Sequence, residues 1–424
     1  MKLPEYGLGE RDLRKTKPLM RGTDVRKLQQ YLKALGFLKG RVDGIFGDET
    51  EKALKEFQRV NNLKPTGMWI RRGGSYDPTI DEIKGLFADR YIDWQVYQKN
   101  PQHTGFTSFK ISLPLKEIRK IKIPGDVKII AFNNRILAWT PEGLYCIQSN
   151  SGRLSWKKEI KGISHYPCAD NNSVFVPLEN ELTALNIKKG SRLWSFTSDE
   201  ELTFSPLPFD GKIIIGTKGE ITALDQLSGR KLWSYTGPDV FYSQPAAADG
   251  LIAAGGYNRM VYGISADTGQ VIWKIKCHDI IKDPPVIEKN RVYITAGERR
   301  FYSINRETGE FEWKAIMGRG DYFSPAVWNE KLFYSSRDGT LCSLDGEKGT
   351  VRWVCSLSAP VTAPPIITKD NMLVGTEDGL KAIDLTEGKV QWEGLQGNKI
   401  NSIGAFKYSI IASISGYIFI LSGI

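Results

Sequence analysis

Seven tryptophans recur along the chain at intervals of 38 to 40 residues, and each follows a glycine by four positions. The tryptophans are Trp156, Trp194, Trp233, Trp273, Trp313, Trp353 and Trp392. The glycines are Gly152, Gly190, Gly229, Gly269, Gly309, Gly349 and Gly388. A repeat of this length is one supersecondary unit that needs its neighbours to bury an apolar face. The pattern therefore predicts a repeat array over most of the 424 residues, preceded by a separate N-terminal module.

The residues between consecutive tryptophans are arranged as strands. Each period holds two runs of apolar and β-branched residues, such as 212–217 and 291–296. A strand with a small residue at its centre and then the tryptophan strand follow these runs. The 3.6-residue spacing of an amphipathic helix is missing from the repeats. Four short strands per period are typical of one blade of a β-propeller.

The seven repeated tryptophans are predicted to be structural. An indole can fill the wedge between two blades and donate its N–H to a backbone carbonyl. The recurring glycine suits a turn position with positive φ. A small residue stands ten positions before each tryptophan, and we expect it to let neighbouring sheets approach closely.

The number of blades follows from the two ends of the array. After Trp392 only 32 residues remain, enough for three strands. Ile118 stands 38 residues before Trp156, in a segment that resembles a tryptophan strand without its tryptophan. We therefore predict eight four-stranded blades, with seven as the alternative, and a strand at about 114–123 that completes the last blade and removes the open sheet edge. The apolar run 408–424 would form two short strands there rather than a membrane span.

Residues 21–70 show helical spacing instead. A first helix begins near Thr23 or Asp24, and a second begins near Asp48 or Thr50, because these residue types cap helices. Pro65 ends the second helix. The inward faces are Val25, Leu28, Leu32 and Leu35, then Ala53, Leu54, Phe57 and Val60. The spacing predicts a small all-α domain ahead of the all-β propeller.

The helical segments LQQYLKALGF and DGIFGDETEKALKEFQ are similar, in order and spacing, to the peptidoglycan-binding domain of cell-wall hydrolases. The resemblance implies a wall-binding module over residues 21–92, which a basic segment, 1–20, precedes. We predict ligand contacts at Asp43, Gln58 and Arg59, because an amide or guanidinium can hydrogen-bond a sugar or a peptide stem. The alternatives are a turn cap for Asp43 and solvated positions for Gln58 and Arg59.

The repeats TALDQLSGRKLW and YSINRETGEFEW resemble the PQQ-type repeat. Residues 93–105, DWQVYQKNPQHTG, are similar to the segment that often precedes such propellers. The resemblance implies a PQQ-like propeller over residues 93–424. Propellers of this type include quinone-dependent dehydrogenases and non-enzymatic scaffolds of outer-membrane assembly.

The chain offers few residues for catalysis. It has three histidines and five cysteines, without an HExxH or a Cys-x-x-Cys motif. No two cysteines are adjacent, whereas quinone-dependent dehydrogenases typically have such a pair beside the quinone. We therefore expect a protein that is not an enzyme and has no cofactor or metal, with a PQQ-dependent dehydrogenase as the alternative.

The net charge is +10, and residues 1–100 carry 20 basic and 14 acidic side chains. A basic module suggests an anionic partner. We predict peptidoglycan or another anionic wall polymer for the helical domain, and a protein or polysaccharide for one face of the propeller. We expect a monomer without nucleic-acid binding and without a transmembrane segment.

The predicted function is that of a non-catalytic binding or scaffold protein of the cell envelope, and a role in outer-membrane or envelope assembly is a further alternative. No secretory signal is visible in the first twenty residues. The predicted location is secreted or wall-associated, and a cytoplasmic location is the alternative.

Overall fold

The computed structural model describes residues 13–34, 37–60, 66–68, 100–107, 109–132, 134–170, 172–237, 241–318, 320–406 and 408–423. The chain divides into two compact units, Met1–Arg90 and Tyr91–Ile424. The predicted domain boundary between residues 92 and 93 lies outside the described residues.

The N-terminal unit contains helices α1 (Thr23–Ala34) and α2 (Asp48–Val60). Three acidic residues in the first turn of α2 favour its start, because the N-terminus of a helix carries partial positive charge. Leu35 and the side chain of Val60 lie outside the described part of the chain. The core consists of Leu13, Val25, Leu28, Leu32, Leu38, Phe46, Ala53, Leu54 and Phe57.

The second unit is a β-propeller of eight blades, as predicted. Blades 1 to 7 are four-stranded antiparallel sheets that follow one another along the chain. Blades 1 to 4 are β2 (Lys128–Phe132), β3 (Arg135–Thr140), β4 (Gly143–Gln148), β5 (Leu154–Lys158); β6 (Cys168–Ala169), β7 (Ser173–Pro177), β8 (Glu181–Asn186), β9 (Arg192–Thr197); β10 (Leu207–Phe209), β11 (Lys212–Thr217), β12 (Glu220–Asp225), β13 (Lys231–Thr236); and β14 (Ala246–Ala248), β15 (Leu251–Gly255), β16 (Met260–Ser265), β17 (Val271–Lys276). Blades 5 to 7 are β18 (Val286–Glu288), β19 (Arg291–Ala296), β20 (Arg300–Asn305), β21 (Phe311–Ile316); β22 (Ala326–Trp328), β23 (Lys331–Ser335), β24 (Thr340–Asp345), β25 (Val351–Ser356); and β26 (Ile366–Ile367), β27 (Asn371–Thr376), β28 (Gly379–Asp384), β29 (Val390–Gly394).

Blade 8 joins the two ends of the array. Its strands are β30 (Ser402–Phe406), the long β31 (Ser409–Gly423) and β1 (Leu115–Asp126), in the order β1-β31-β30. β31 is one strand where two were predicted, and its first half pairs with β30 while its second half pairs with β1. Gly416, with φ of 82°, lies between the halves. The predicted closure of the ring by the N-terminal strand is confirmed.

The small residue of each repeat lies directly opposite the tryptophan on the neighbouring strand. Ala223 pairs with Trp233, and Gly263 pairs with Trp273. A Cβ on Gly263 would lie 2.2 Å from Cε2 of the Trp273 ring. The small residue therefore makes room for the indole of its own blade, which is a more local reason than the predicted approach of neighbouring sheets.

Candidate functional site

In the helical unit, the Gln29 side chain holds the turn between the two helices. It is 2% exposed, and its Nε2 donates to Oδ1 of Asp43, the carbonyl of Ile45 and Oγ1 of Thr50, each at 2.9 Å. Its Oε1 accepts from the amides of Asp43 and Gly44, at 3.1 and 2.7 Å. One buried amide thus fixes five groups of the turn, a role that sequence reasoning did not assign to Gln29.

Asp43, a predicted ligand residue, is exposed at this turn. Its Oδ1 also accepts from the amide of Ile45 at 2.9 Å. Desolvation raises the pKa of the Asp43 carboxyl, but the hydrogen bonds from Gln29 and Ile45 outweigh it and hold the pKa below its ordinary value. The carboxylate therefore stays ionised at neutral pH and faces solvent with one oxygen atom outside these bonds.

Gln58, a second predicted ligand residue, is buried with 3% of its surface exposed. Its Oε1 accepts from the amide of Gly67 at 2.8 Å. Its Nε2 donates to Oγ1 of Thr66 at 3.1 Å and to the carbonyl of Met68 at 3.0 Å. This amide holds the segment after α2, as Gln29 holds the turn before α2. Arg59 lies in α2, and its side chain lies outside the described atoms.

In the propeller, six of the repeated tryptophans connect each blade to the next. Each indole Nε1 donates to a carbonyl in the turn before the last strand of the following blade, at 2.8–3.2 Å. The glycine of that turn, with φ of 67–74°, packs on the indole face. Donors and acceptors are Trp156 and Ile187, Trp194 and Gln226, Trp233 and Ala266, Trp273 and Arg306, Trp313 and Gly346, and Trp353 and Leu385. Trp392 packs against the core that contains blade 8.

Arg119 occupies the tryptophan position of blade 8. Its Nη2 donates to the carbonyl of Asn150 at 3.1 Å, and a Cβ on Gly152 would lie 2.8 Å from its Cδ. The sequence placed Ile118 at this position, but Ile118 is 59% exposed. The prediction was wrong by one residue because the pairing of β1 is irregular between Glu117 and Arg119.

The segment 100–107 crosses the centre of the ring. The first strands of neighbouring blades contact each other, so these strands line the centre. Amides of four of them donate to carbonyls of the segment at 2.7–3.0 Å. The pairs are Ala247 with Pro101, Ile287 with Gln102, Val327 with Thr104, and Ile367 with Gly105. The segment therefore takes up backbone donors of blades 4 to 7 that would otherwise be buried without partners.

His103 lies in this central segment and is fully buried. Its Nδ1 is 3.2 Å from the carbonyl of Pro285. Burial lowers the pKa of the imidazole to about 4, so the ring is neutral at physiological pH. A neutral, enclosed imidazole hydrogen-bonded to backbone is suited to holding the segment in place.

Two family models match the sequence. Residues 119–196, 217–321 and 313–413 match the model described as outer membrane protein assembly factor BamB, over more than half of the chain. The chain belongs to this BamB family. Residues 21–69 match the model described as putative peptidoglycan binding domain. Both resemblances that the sequence motifs suggested are confirmed.

Solved structures share the BamB-family fold of this propeller at low identity. BamB from Moraxella catarrhalis has a TM-score of 0.63 at 16% identity, over 73% of this chain and 100% of that one. A europium-containing methanol dehydrogenase has a TM-score of 0.67 at 12% identity, over 81% and 100%. A quinohemoprotein alcohol dehydrogenase from Comamonas testosteroni has a TM-score of 0.67 at 12% identity, over 82% and 83%. These likenesses show the fold alone. A search of curated proteins with the sequence gives no match.

The described residues of this BamB-family chain were also searched for metal and membrane features. Within them, no group of three or more His, Cys, Asp or Glu side chains is placed to hold a metal ion. No helix in the same residues has the length and apolarity that crossing a membrane requires.

Proposed function

We propose that this protein is a non-catalytic scaffold of the cell envelope. The helical unit binds peptidoglycan, and the propeller presents a face to a protein or polysaccharide partner. The observation that carries the proposal is the presence of a peptidoglycan-binding family match and a BamB-family propeller in one chain. A fused wall-binding unit raises the effective concentration of the propeller at the wall without any new contact.

The turn between α1 and α2 supports wall binding by the helical unit. Gln29 fixes this turn from inside, so the exposed Asp43 carboxylate is held in one place before a ligand arrives. A preorganised acceptor loses little entropy on binding the hydroxyl or amide groups of a glycan or stem peptide. Asp43 is therefore the ligand contact that we propose, and Gln58 acts by shaping the segment at residues 66–68.

A pelleting experiment with the full chain tests wall binding. Sacculi are stripped of secondary polymers with hydrofluoric acid, and the protein that sediments with them is measured over a range of sacculus concentrations. We expect wild-type protein to sediment and Asp43→Asn to need about tenfold more sacculi, because a hydrogen bond to a charged group is replaced by a neutral one.

Asp48→Asn is the matched control for this experiment. Asp48 lies in the first turn of α2, its side chain is 83% exposed, and asparagine caps a helix as well as aspartate does. This variant loses the same charge and should sediment like wild type. Wild-type protein that remains in the supernatant while an established wall-binding domain sediments would refute the proposal.

A further inference from the structure

A groove of about 550 Å³ opens between blades 4 and 5 of the propeller. Arg259 and Lys276 of blade 4 line one side, at the start of β16 and the end of β17. Arg300 and Lys314 of blade 5 line the other side, on β20 and β21. The volume lies in the range of ordinary ligand sites, and four cations surround it.

Most of this positive charge is not neutralised by the protein. Asp279 lies 3.6 Å from Nη1 of Arg300. Among the described residues, no carboxylate lies within ion-pair distance of the other three cations. The Nζ of Lys314 lies 4.0 Å from the centre of the Phe311 ring. Arg259, Lys276 and Lys314 are exposed, so the groove offers their charges to an anion from solution.

The repeat provides an internal comparison for the charge of this groove. The four cations lie 14 residues before and three after the tryptophan of the first blade, and 13 before and one after that of the second. At these positions, blades 1 and 2 hold Glu142, Glu159, Glu181 and Ser195. The four remaining pairs of neighbouring tryptophan blades hold at most one cation each: Asn180, Thr197, Glu220, Ser234; Gly219, Thr236, Met260, Lys274; Arg299, Ile316, Thr340, Val354; and Gly339, Ser356, Gly379, Glu393. The blade framework therefore does not require positive charge at these positions.

Exposed aromatic rings lie on the turn that carries Arg259. Tyr257, in the same turn, packs against Tyr242 with ring centroids 4.8 Å apart. These side chains are 43% and 49% exposed, respectively. An exposed aromatic ring offers its face to the apolar C–H face of a sugar, whereas its hydroxyl stays in water.

We propose that the groove between blades 4 and 5 binds an anionic glycan, a sugar chain with phosphate or carboxylate groups. The arginines bind such groups through paired N–H donors, and the lysines bind them as point charges. The choice of a glycan as the carrier rests on the proposed function at the cell wall. The site is separate from the helical unit, so the two can be tested independently.

The test titrates the full chain with defined probes in isothermal calorimetry. The probes are a poly(glycerol phosphate) oligomer, hexagalacturonate, neutral chitohexaose and hexaglutamate. We expect binding of one or both anionic glycans that weakens as sodium chloride is raised, because the contacts are charged and exposed. The phosphate and uronate arms identify which anion the site takes. Chitohexaose should not bind at this groove, and hexaglutamate should bind more weakly than the better anionic glycan.

Two double variants with the same net charge separate a specific site from general attraction. Lys276→Gln with Lys314→Gln removes two cations of the groove, and its Kd should rise at least tenfold. Lys157→Gln with Lys274→Gln is the control, because these lysines occupy the position of Lys314 in blades 1 and 4. Its Kd should stay within about twofold of wild type, since exposed charges outside the site contribute little.

Equal weakening in both double variants, or tighter binding of hexaglutamate than of either anionic glycan, would overturn this proposal. So would the absence of binding at low salt. Sedimentation of the Lys276→Gln and Lys314→Gln variant with stripped sacculi should match wild type. A failure at the groove therefore leaves wall binding by the helical unit intact, and the reverse also holds.

Discussion

Replacing Trp313 by alanine is expected to lower the free energy of unfolding of the propeller by about 3–5 kcal/mol. The Trp313 side chain is 9% exposed, and its Nε1 donates to the carbonyl of Gly346 in blade 6 at 2.8 Å. Gly349 packs on the same ring, where an added Cβ would lie 2.6 Å from Cε3. The substitution thus removes a buried aromatic side chain and leaves the carbonyl without its donor. Urea unfolding followed by circular dichroism measures the effect.

Two further variants show which part of Trp313 matters. Trp313→Phe keeps an aromatic ring but loses the indole N–H, so we expect an intermediate loss of about 1–3 kcal/mol. Val354→Ala is the control, because Val354 is 55% exposed and lies on the last strand of blade 6. It should change stability by less than about 0.5 kcal/mol. A loss that small for Trp313→Ala would contradict the role assigned to the indole.

Replacing Leu115–Ile123 by a glycine–serine segment of equal length is expected to open the ring. The variant keeps the connection but removes most of β1, including the buried side chains of Leu115 and Ile123. Each of these contributes about 1.5–3 kcal/mol through burial. The second half of β31 then becomes an open sheet edge with an apolar sequence, and such edges pair with other chains. Light scattering after size-exclusion chromatography should show dimers or aggregates, and the melting temperature should fall.

Ile118→Ala provides the control on the same strand, since Ile118 is 59% exposed and contributes little to the core. This variant should remain monomeric and melt like wild type. A glycine–serine variant that also stays monomeric with an unchanged melting temperature would show that β1 does not close the propeller.

The sequence predicts the blades well because one physical requirement repeats in every period. The tryptophan, the glycine of the following turn and the small residue opposite the tryptophan each depend on residues of the same or the next repeat. Blade 8 was harder to predict because Arg119 replaces an indole by a guanidinium, and the irregular pairing of β1 shifts the count by one residue.

The candidate sites could be predicted less completely, because their residues act through contacts between distant parts of the chain. Gln29 and Gln58 are both ordinary helix residues in the sequence, and the fold gives both of them buried turn-holding roles. Lys276 and Lys314 belong to different repeats, and only the packing of blades 4 and 5 brings them to one groove. Aligning the repeats by their tryptophans would have shown these cations, since the equivalent positions elsewhere are mostly uncharged or acidic.

Closure of the ring by both ends of the array is the central claim, and one disulfide tests it most directly. Lys122 of β1 lies opposite Tyr417 of β31, and residues opposite each other in antiparallel strands are close enough for a disulfide. The substitutions Lys122→Cys and Tyr417→Cys are made in a Cys355→Ser background, because the other four native cysteines are buried.

Lys116→Cys with Tyr417→Cys is the matched control, because Lys116 pairs with Ser422 and lies too far along β1 to reach position 417. Peptide mass spectrometry after mild oxidation of the full chain identifies the cross-links. The account predicts an intramolecular disulfide between positions 122 and 417 in the monomer and none between 116 and 417. Absence of the first disulfide, or equal formation of both, would contradict it.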